Sequence, residues 1–402
     1  MKYIVVLGDG MADYKVDELG GKTPLECAKK PNIDYLCKNG EIGLVHTVPD
    51  ELSPGSDVAN LAAMGYDPLK YYSGRSPLEA VSMGINILDD DIVFRCNVVT
   101  VTDEENYEDK TIIDHSADEI TTAESRELIK AIDESFGDDI LKFYGGVSYR
   151  HALVWHKGSD NVVLTPPHDI LERKVGEYMP KGDGAEKIAD MMRKSYDILK
   201  DHPVNLDRIK RGLKPANSIW IWGEGRKPLL SSFEEKYGIK GSVISAVDLI
   251  KGIAICAGME SIDVEGATGN IHTNFDGKAI AAIDALKNGS DFVYIHMEAP
   301  DECGHRHEIE NKVKSIELID KKVVSYIKNE LDKIGEDYKI LVLPDHPTPL
   351  ALRTHTRDAV PYVIYDSTNI KNSGVESYTE DNAKSSGIVI EKGHTIMGKF
   401  LG

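Results

Sequence analysis

Cysteine is scarce in this chain of 402 residues. There are five (Cys27, Cys37, Cys96, Cys256, Cys303), an odd number with no Cys-x-x-Cys pair. That excludes a disulfide framework and a zinc ribbon, and it fits a reducing compartment. Positive charge is also short: 47 Lys and Arg stand against 67 Asp and Glu, for a net charge of −20. Phosphate backbones are gripped by Lys and Arg, so a chain this acidic is a poor non-specific binder of nucleic acid. Long apolar runs are missing as well. The opening Tyr3-Ile4-Val5-Val6-Leu7 reaches Gly8-Asp9 too soon for the roughly 7–15-residue core of a secretory signal. No run approaches the about 18 apolar residues that cross a bilayer. The expectation is a cytoplasmic protein with no nucleic-acid and no membrane partner.

Nucleotide and hydrolase motifs fail on inspection. Gly8-Asp9-Gly10, Gly182-Asp183-Gly184 and Gly223-Glu224-Gly225 each lack the third glycine of a dinucleotide fingerprint; Asp13, Lys187 and Pro228 stand there instead. Gly393 to Lys399 imitates a P-loop, but Phe400 replaces its Ser or Thr and no chain remains to form the helix that receives phosphate. Gly-x-Ser-x-Gly does not occur, so no nucleophile elbow is indicated.

The apolar pattern is that of an α/β protein. Tyr3–Leu7 reads as a buried strand, and Ser218–Trp222, Phe292–His296, Ile340–Leu343 and Val360–Ile364 repeat its style. Between them, Lys312–Leu331 keeps apolar residues at 3–4 spacing, as a helix does. Such alternation predicts a mostly parallel sheet, with ligands outside the carboxyl ends of its strands. Residues 76–225 mix short strands with acidic helices and read as a smaller α/β domain inserted between 1–75 and 226–402.

Carboxylates and imidazoles gather where predicted strands end. Asp9 follows the first strand. Asp301 and His305 follow Phe292–His296 at a spacing of four, one helical turn. Asp345 and His346 follow Ile340–Leu343, and His394 follows the apolar run 387–390. With roughly three ligands per ion, this set suits two divalent cations, which would supply charge for phosphoryl chemistry. The expected ions are Mn²⁺ or Zn²⁺, with Mg²⁺ as a further candidate; mixed O and N donors do not choose among them. Ser56, in Ser53-Pro54-Gly55-Ser56-Asp57, precedes a helical run that stops at Gly65. Capping is one reading, since serine is a preferred N-cap. A nucleophile activated by the helix end and an adjacent cation is the other.

Together these segments resemble the archaeal-type cofactor-independent phosphoglycerate mutases of the alkaline phosphatase superfamily. The carriers are Val5 to Met11, Gly20 to Leu25, Pro54 to Asp57, Gly65 to Pro68, Tyr71 to Ala80, Phe94 to Asn97, Gly146 to His151, Asp301 to His305, Pro344 to His346 and Gly393 to Thr395. They run the length of the chain in family order. The resemblance implies an alkaline-phosphatase-like core and exchange of phosphate between the 3- and 2-hydroxyls of glycerate through a phosphoserine on Ser56. It needs two divalent ions and no bisphosphoglycerate. It implies one ion on Asp9, Ser56, Asp345 and His346, and the other on Asp301, His305 and His394. It makes Lys251 an aid to the serine and phosphate. It assigns a small phosphorylated three-carbon acid to Arg150, His151, Arg75, Arg226 and His115, with the insert closing to keep water from the phosphoserine. The competing readings are a phosphotransferase on another small alcohol, such as a homoserine kinase, and a catalytically inactive metal-binding relative.

Overall fold

A computed structural model describes residues 1–402 as two compact units. The larger comprises Met1–Tyr72 and Leu230–Gly402; the smaller is Ser73–Leu229. The division thus falls three residues before the boundary expected after 75 and four residues beyond the one expected after 225.

The larger unit is built on an eight-stranded sheet. Its order is Glu260–Ile262, Gly241–Ile244, Phe292–Met297, Lys2–Gly8, Tyr338–Leu343, Val360–Asp366, Glu41–Val45, Val389–Ile390. The first five strands are mutually parallel; Val360–Asp366 runs antiparallel to both neighbours. Central strands are apolar on both faces because both are covered. Ile4, Val6, Val293, Ile295, Ile340 and Val342 share a core with Phe275–Lys287 and the helical run from Ile309 to Ile334. Residues of opposite parity turn to the other face, where Phe292 stacks with Phe233 at 4.6 Å and Tyr3 meets Phe400 at 5.7 Å.

The helix expected over 312–331 spans this run, but it is not one regular helix. Ile319–Val324 forms a π-helical turn. The turn places Asp320 in the interior, where it accepts hydrogen bonds from Ile33 N (2.7 Å) and Asn32 Nδ2 (2.8 Å) at the start of the helix Pro31–Asn39. Periodicity averages over such a turn and does not show it.

Register decides where the chemistry goes. Gly8 lies beside Met297, and Leu7 beside both His296 and Leu343. The residues leaving these three parallel strands therefore emerge together at one edge of the sheet.

The smaller unit is antiparallel. Asp91–Val101 pairs with Ile112–Asp114, Arg150–His156 and Ser218–Arg226, and Leu141–Val147 adds to Arg150–His156. Its core includes the apolar stripes of Thr122–Phe136 and Ala185–Leu199. Ser218–Trp222, which resembles the core strands in composition, thus belongs to this sheet. An apolar run shows burial on both faces but not which sheet it joins.

Candidate active site

Two loops and the short helix Ala299–His305 carry the site. After the first strand, Gly10 adopts φ +61°, and a Cβ there would lie 2.7 Å from the Asp301 backbone. Only glycine permits that approach, which brings Asp9 and Asp301 together. Asp345 is locked by three donors: Gly10 N at 3.0 Å and His346 N at 2.8 Å on Oδ1, and Asn60 Nδ2 at 2.9 Å on Oδ2. Thr47 adds a hydrogen bond to its carbonyl. The loop beyond Asp345 is pinned by a fully buried ion pair. Lys312 Nζ donates to Asp13 Oδ2 at 2.7 Å and to the Thr348 carbonyl at 2.8 Å, while Asp13 accepts from Leu350 N at 3.2 Å.

Two groups of metal-competent atoms result, sharing one histidine: Asp9, Asp345 and His346, and Asp301, His346 and His355. His346 Nε2 lies 3.7 Å from Asp9 Oδ1 and 3.4 Å from Asp345 Oδ2. Beside them, Asp301 stands 3.3 Å from both His305 Nε2 and His355 Nε2, and the two imidazole nitrogens are 2.9 Å apart.

Ser56 faces the first group. It is the first residue of the helix Ser56–Ala63, and the N-cap is Gly55, with no side-chain capping bond. The capping reading therefore does not hold: Ser56 Oγ is 3.1 Å from His346 Nε2 instead. Asn60, one turn on, bonds both the Ser56 carbonyl (2.8 Å) and Asp345, and Tyr294 OH fixes its Oδ1 at 2.6 Å.

The electrostatics ask for cations. Burial, then the charges of Asp345, Asp301 and Glu298, push Asp9 well above the usual carboxylate range. Its Oδ1 is buried without a hydrogen-bond partner. Orphaned buried carboxylate oxygen is costly, and an ion among these donors would satisfy it. Burial alone would raise Asp301, but hydrogen bonds from His305 and His355 outweigh it and hold the carboxyl well below its ordinary value. The Asp301 hydrogen bond in turn lifts His305 to about 9. Burial pushes Glu298 up to about 7 and Lys278 down to about 8.

The expected ligands Asp9, Ser56, Asp301, His305, Asp345 and His346 are thus brought together. His394 is not. Its Nδ1 is 3.8 Å from Asp67 Oδ1, and it lines a separate cavity of about 310 Å³ with His46, Thr47 and Glu391. His355 stands where His394 was expected. Its only signal was the pair His355-Thr356, which His394-Thr395 duplicates. No predicted strand precedes it, so strand-end reasoning passed it by. Asn60 was missed for a similar reason, since its partners Asp345 and Tyr294 are distant in sequence.

Lys251 Nζ is paired with the exposed Asp263 at 2.6 Å. The five expected substrate residues lie in the smaller unit, and three of them, His115, Arg150 and His151, gather around Asn97 in the strand Asp91–Val101. Arg150 opens its strand opposite Asn97, with its guanidinium 5.6 Å from the Tyr149 ring centre. His115 meets Tyr149 edge-on at 5.6 Å, and its carbonyl accepts from Asn97 Nδ2 at 3.2 Å. His151 is buried, accepts from Gly146 N at 3.0 Å, and is pushed down to about 3 by burial and then Arg126. Arg75 is half-buried at the start of the helix Ser76–Ser82. Arg226 is elsewhere. It pairs with Ile92, five residues from Asn97 along the same strand, a rise of about 16 Å. It is held by Asp160 at 2.6 and 3.0 Å.

A sequence model of 2,3-bisphosphoglycerate-independent phosphoglycerate mutase matches residues 37–205. The chain is 49% identical over 403 residues to a probable 2,3-bisphosphoglycerate-independent phosphoglycerate mutase of Geobacter sulfurreducens, covering 100% of both chains. It is 47% identical to the 2,3-bisphosphoglycerate-independent phosphoglycerate mutase of Methanosarcina barkeri, covering 99% of this chain and 98% of that one. Among solved structures, the PH0037 protein from Pyrococcus horikoshii superimposes with a TM-score of 0.84 at 28% identity, covering 100% of this chain and 96% of that one. The cofactor-independent phosphoglycerate mutase from Thermoplasma acidophilum gives a TM-score of 0.71 at 27% identity, covering 100% and 99%. No helix is long and apolar enough to cross a membrane. With identity this high over the whole length, the chain belongs to the family of 2,3-bisphosphoglycerate-independent phosphoglycerate mutases.

Proposed function

We propose that this protein interconverts 3-phosphoglycerate and 2-phosphoglycerate through a phosphoserine on Ser56, without bisphosphoglycerate. The observation that carries the reading is the placement of Ser56 Oγ, 3.1 Å from His346 Nε2 and free of any capping role, at the edge of two carboxylate–imidazole groups. Asp9, Ser56, Asp345 and His346 would hold one divalent ion, and Asp301, His305 and His355 the other. The three imidazoles and three carboxylates among these donors favour Mn²⁺ or Zn²⁺ over Mg²⁺. Bound there, the ions supply positive charge that neutralises the phosphoryl oxygens and lowers the pKa of the serine hydroxyl.

The chain's own residues do the rest. Ser56 Oγ attacks phosphorus in line and loses its proton as the new O–P bond forms. The bond from phosphorus to the glycerate oxygen breaks, and that oxygen takes up a proton. Asn60 fixes the serine's backbone through the step, so the nucleophile does not drift. Glycerate then turns, its other hydroxyl attacks the phosphoserine, and the sequence runs in reverse. The carboxylate and phosphate of such a substrate require cations, which the smaller unit carries at Arg75 and Arg150. The cytoplasm fits a cytosolic glycolytic role of this kind, and the mutase names of the relatives favour this substrate over homoserine.

The test is a phosphorus NMR time course with Mn²⁺-loaded protein and 3-phosphoglycerate, without ATP or bisphosphoglycerate. Growth of 2-phosphoglycerate with little free phosphate is expected. No conversion, or release of phosphate alone, would overturn the mutase reading.

A further inference from the structure

His296 is buried at the end of the strand Phe292–Met297, and the proposed reaction gives it no role. Its Nε2 lies 3.0 Å from Asp9 Oδ2, and its Nδ1 lies 3.2 Å from Ser245 Oγ. Ser245 Oγ also accepts from Val247 N at 3.0 Å, at the entrance to the helix Asp248–Cys256 that carries Lys251. Lys278 Nζ, itself buried, donates to the His296 carbonyl at 2.9 Å. The ring is thus held at both nitrogens and its backbone at the carbonyl, and every polar atom along the line has a partner. The line ends at Asp9 Oδ1, which has none.

We infer that His296 is a positioning residue for Asp9: it occupies one carboxylate oxygen so that the other alone is presented to the ion beside Ser56, His346 and Asp345. An ionised carboxylate only accepts hydrogen bonds, so Nε2 carries the proton and donates to Oδ2. Nδ1 then accepts from the Ser245 hydroxyl, whose oxygen accepts from Val247 N. Donor and acceptor alternate without conflict from the helix entrance to Asp9. A carboxylate free to rotate could offer either oxygen or both; this one has a fixed orientation. Partners of this kind behind a metal ligand typically change affinity by roughly 10–100-fold. His296 makes no hydrogen bond to Asp301, His305 or His355, so its influence falls on one ion of the two.

The inference rests on the two-ion reading and is tested on the full chain by equilibrium dialysis against Mn²⁺ alone, with bound metal counted by elemental analysis. Wild type is expected to bind two Mn²⁺. His296→Phe keeps the ring volume but removes the donor; one Mn²⁺ is expected to weaken by roughly 10–100-fold while the other is unchanged. His296→Gln, which retains an N–H, should recover part of the loss, and Ser245→Ala should show a smaller loss of the same ion. Mutase activity of His296→Phe should return as Mn²⁺ is raised. Equal weakening of both ions, or no change in either with thermal unfolding intact, overturns the positioning role. If wild type itself binds no Mn²⁺, the two-ion reading fails first and takes this inference with it. If His296→Phe does not fold, Ser245→Ala and His296→Gln decide by the same one-ion criterion.

Discussion

Removing the cation of the Lys312–Asp13 pair should cost far more than removing both charges together. Both side chains are fully buried at an Nζ–Oδ2 distance of 2.7 Å. Lys312→Met leaves the Asp13 carboxylate in the interior with only the Leu350 and Tyr14 N–H groups, and it also strips the donor from the Thr348 carbonyl. Breaking a buried pair on one side costs about 3–5 kcal/mol. For a unit of this size each kcal/mol moves the melting temperature by roughly 2–4 °C, so a fall of about 10 °C is expected. Lys312→Met with Asp13→Asn removes the stranded charge yet keeps an acceptor for Leu350 N. The double variant should therefore be more stable than Lys312→Met alone, with a coupling energy of about 1.5–3 kcal/mol. Urea unfolding of the metal-free protein, followed by circular dichroism because all three tryptophans lie in the smaller unit, measures this without a contribution from bound ions. If the double variant is as unstable as the sum of the two single variants, or Lys312→Met loses less than about 1 kcal/mol, the pair is not what pins the His346–His355 loop.

Ser56→Ala should reduce mutase turnover by at least about 10³-fold while leaving the unfolding midpoint nearly unchanged, because Gly55 rather than Ser56 caps the helix; full activity would refute the phosphoserine. His355→Ala should weaken one Mn²⁺ by at least about 100-fold, whereas His394→Ala should retain both ions in the same dialysis measurement; the opposite pattern would restore His394 as a ligand. Glu380, beside Thr23 and the Asp13 backbone, is raised by burial from an ordinary 4.5 to about 7. The folded state therefore holds its proton where the unfolded state has lost it. Its contribution falls as pH rises from about 4.5 to 7 and then levels off, by up to about 3 kcal/mol in all. Denaturation across that window should show wild type losing stability relative to Glu380→Gln as pH rises, and parallel curves would exclude this.

Much of this protein is written locally. The apolar runs Tyr3–Leu7, Phe292–His296 and Ile340–Leu343 are buried strands because a central parallel strand has no solvent face. Their ends could be read because polar residues resume there, and Asp9, Asp301, His305, Asp345 and His346 stand at those ends. What the pattern left open depends on contacts across the chain. Ser218–Trp222 joins the antiparallel sheet of the smaller unit because its hydrogen-bonding partner is Asp91–Val101, some 120 residues earlier. Arg226 is separated from Arg150 by register along one strand, which no spacing in the sequence expresses. His355 and His394 sit in similar His-Thr pairs. Only the path of the loop after His346, held by Lys312 and Asp13 from two distant segments, brings His355 to Asp301 and leaves His394 beside Asp67. Residue type and strand ends thus determined the chemistry available, while long-range hydrogen bonds and register decided which of those residues meet.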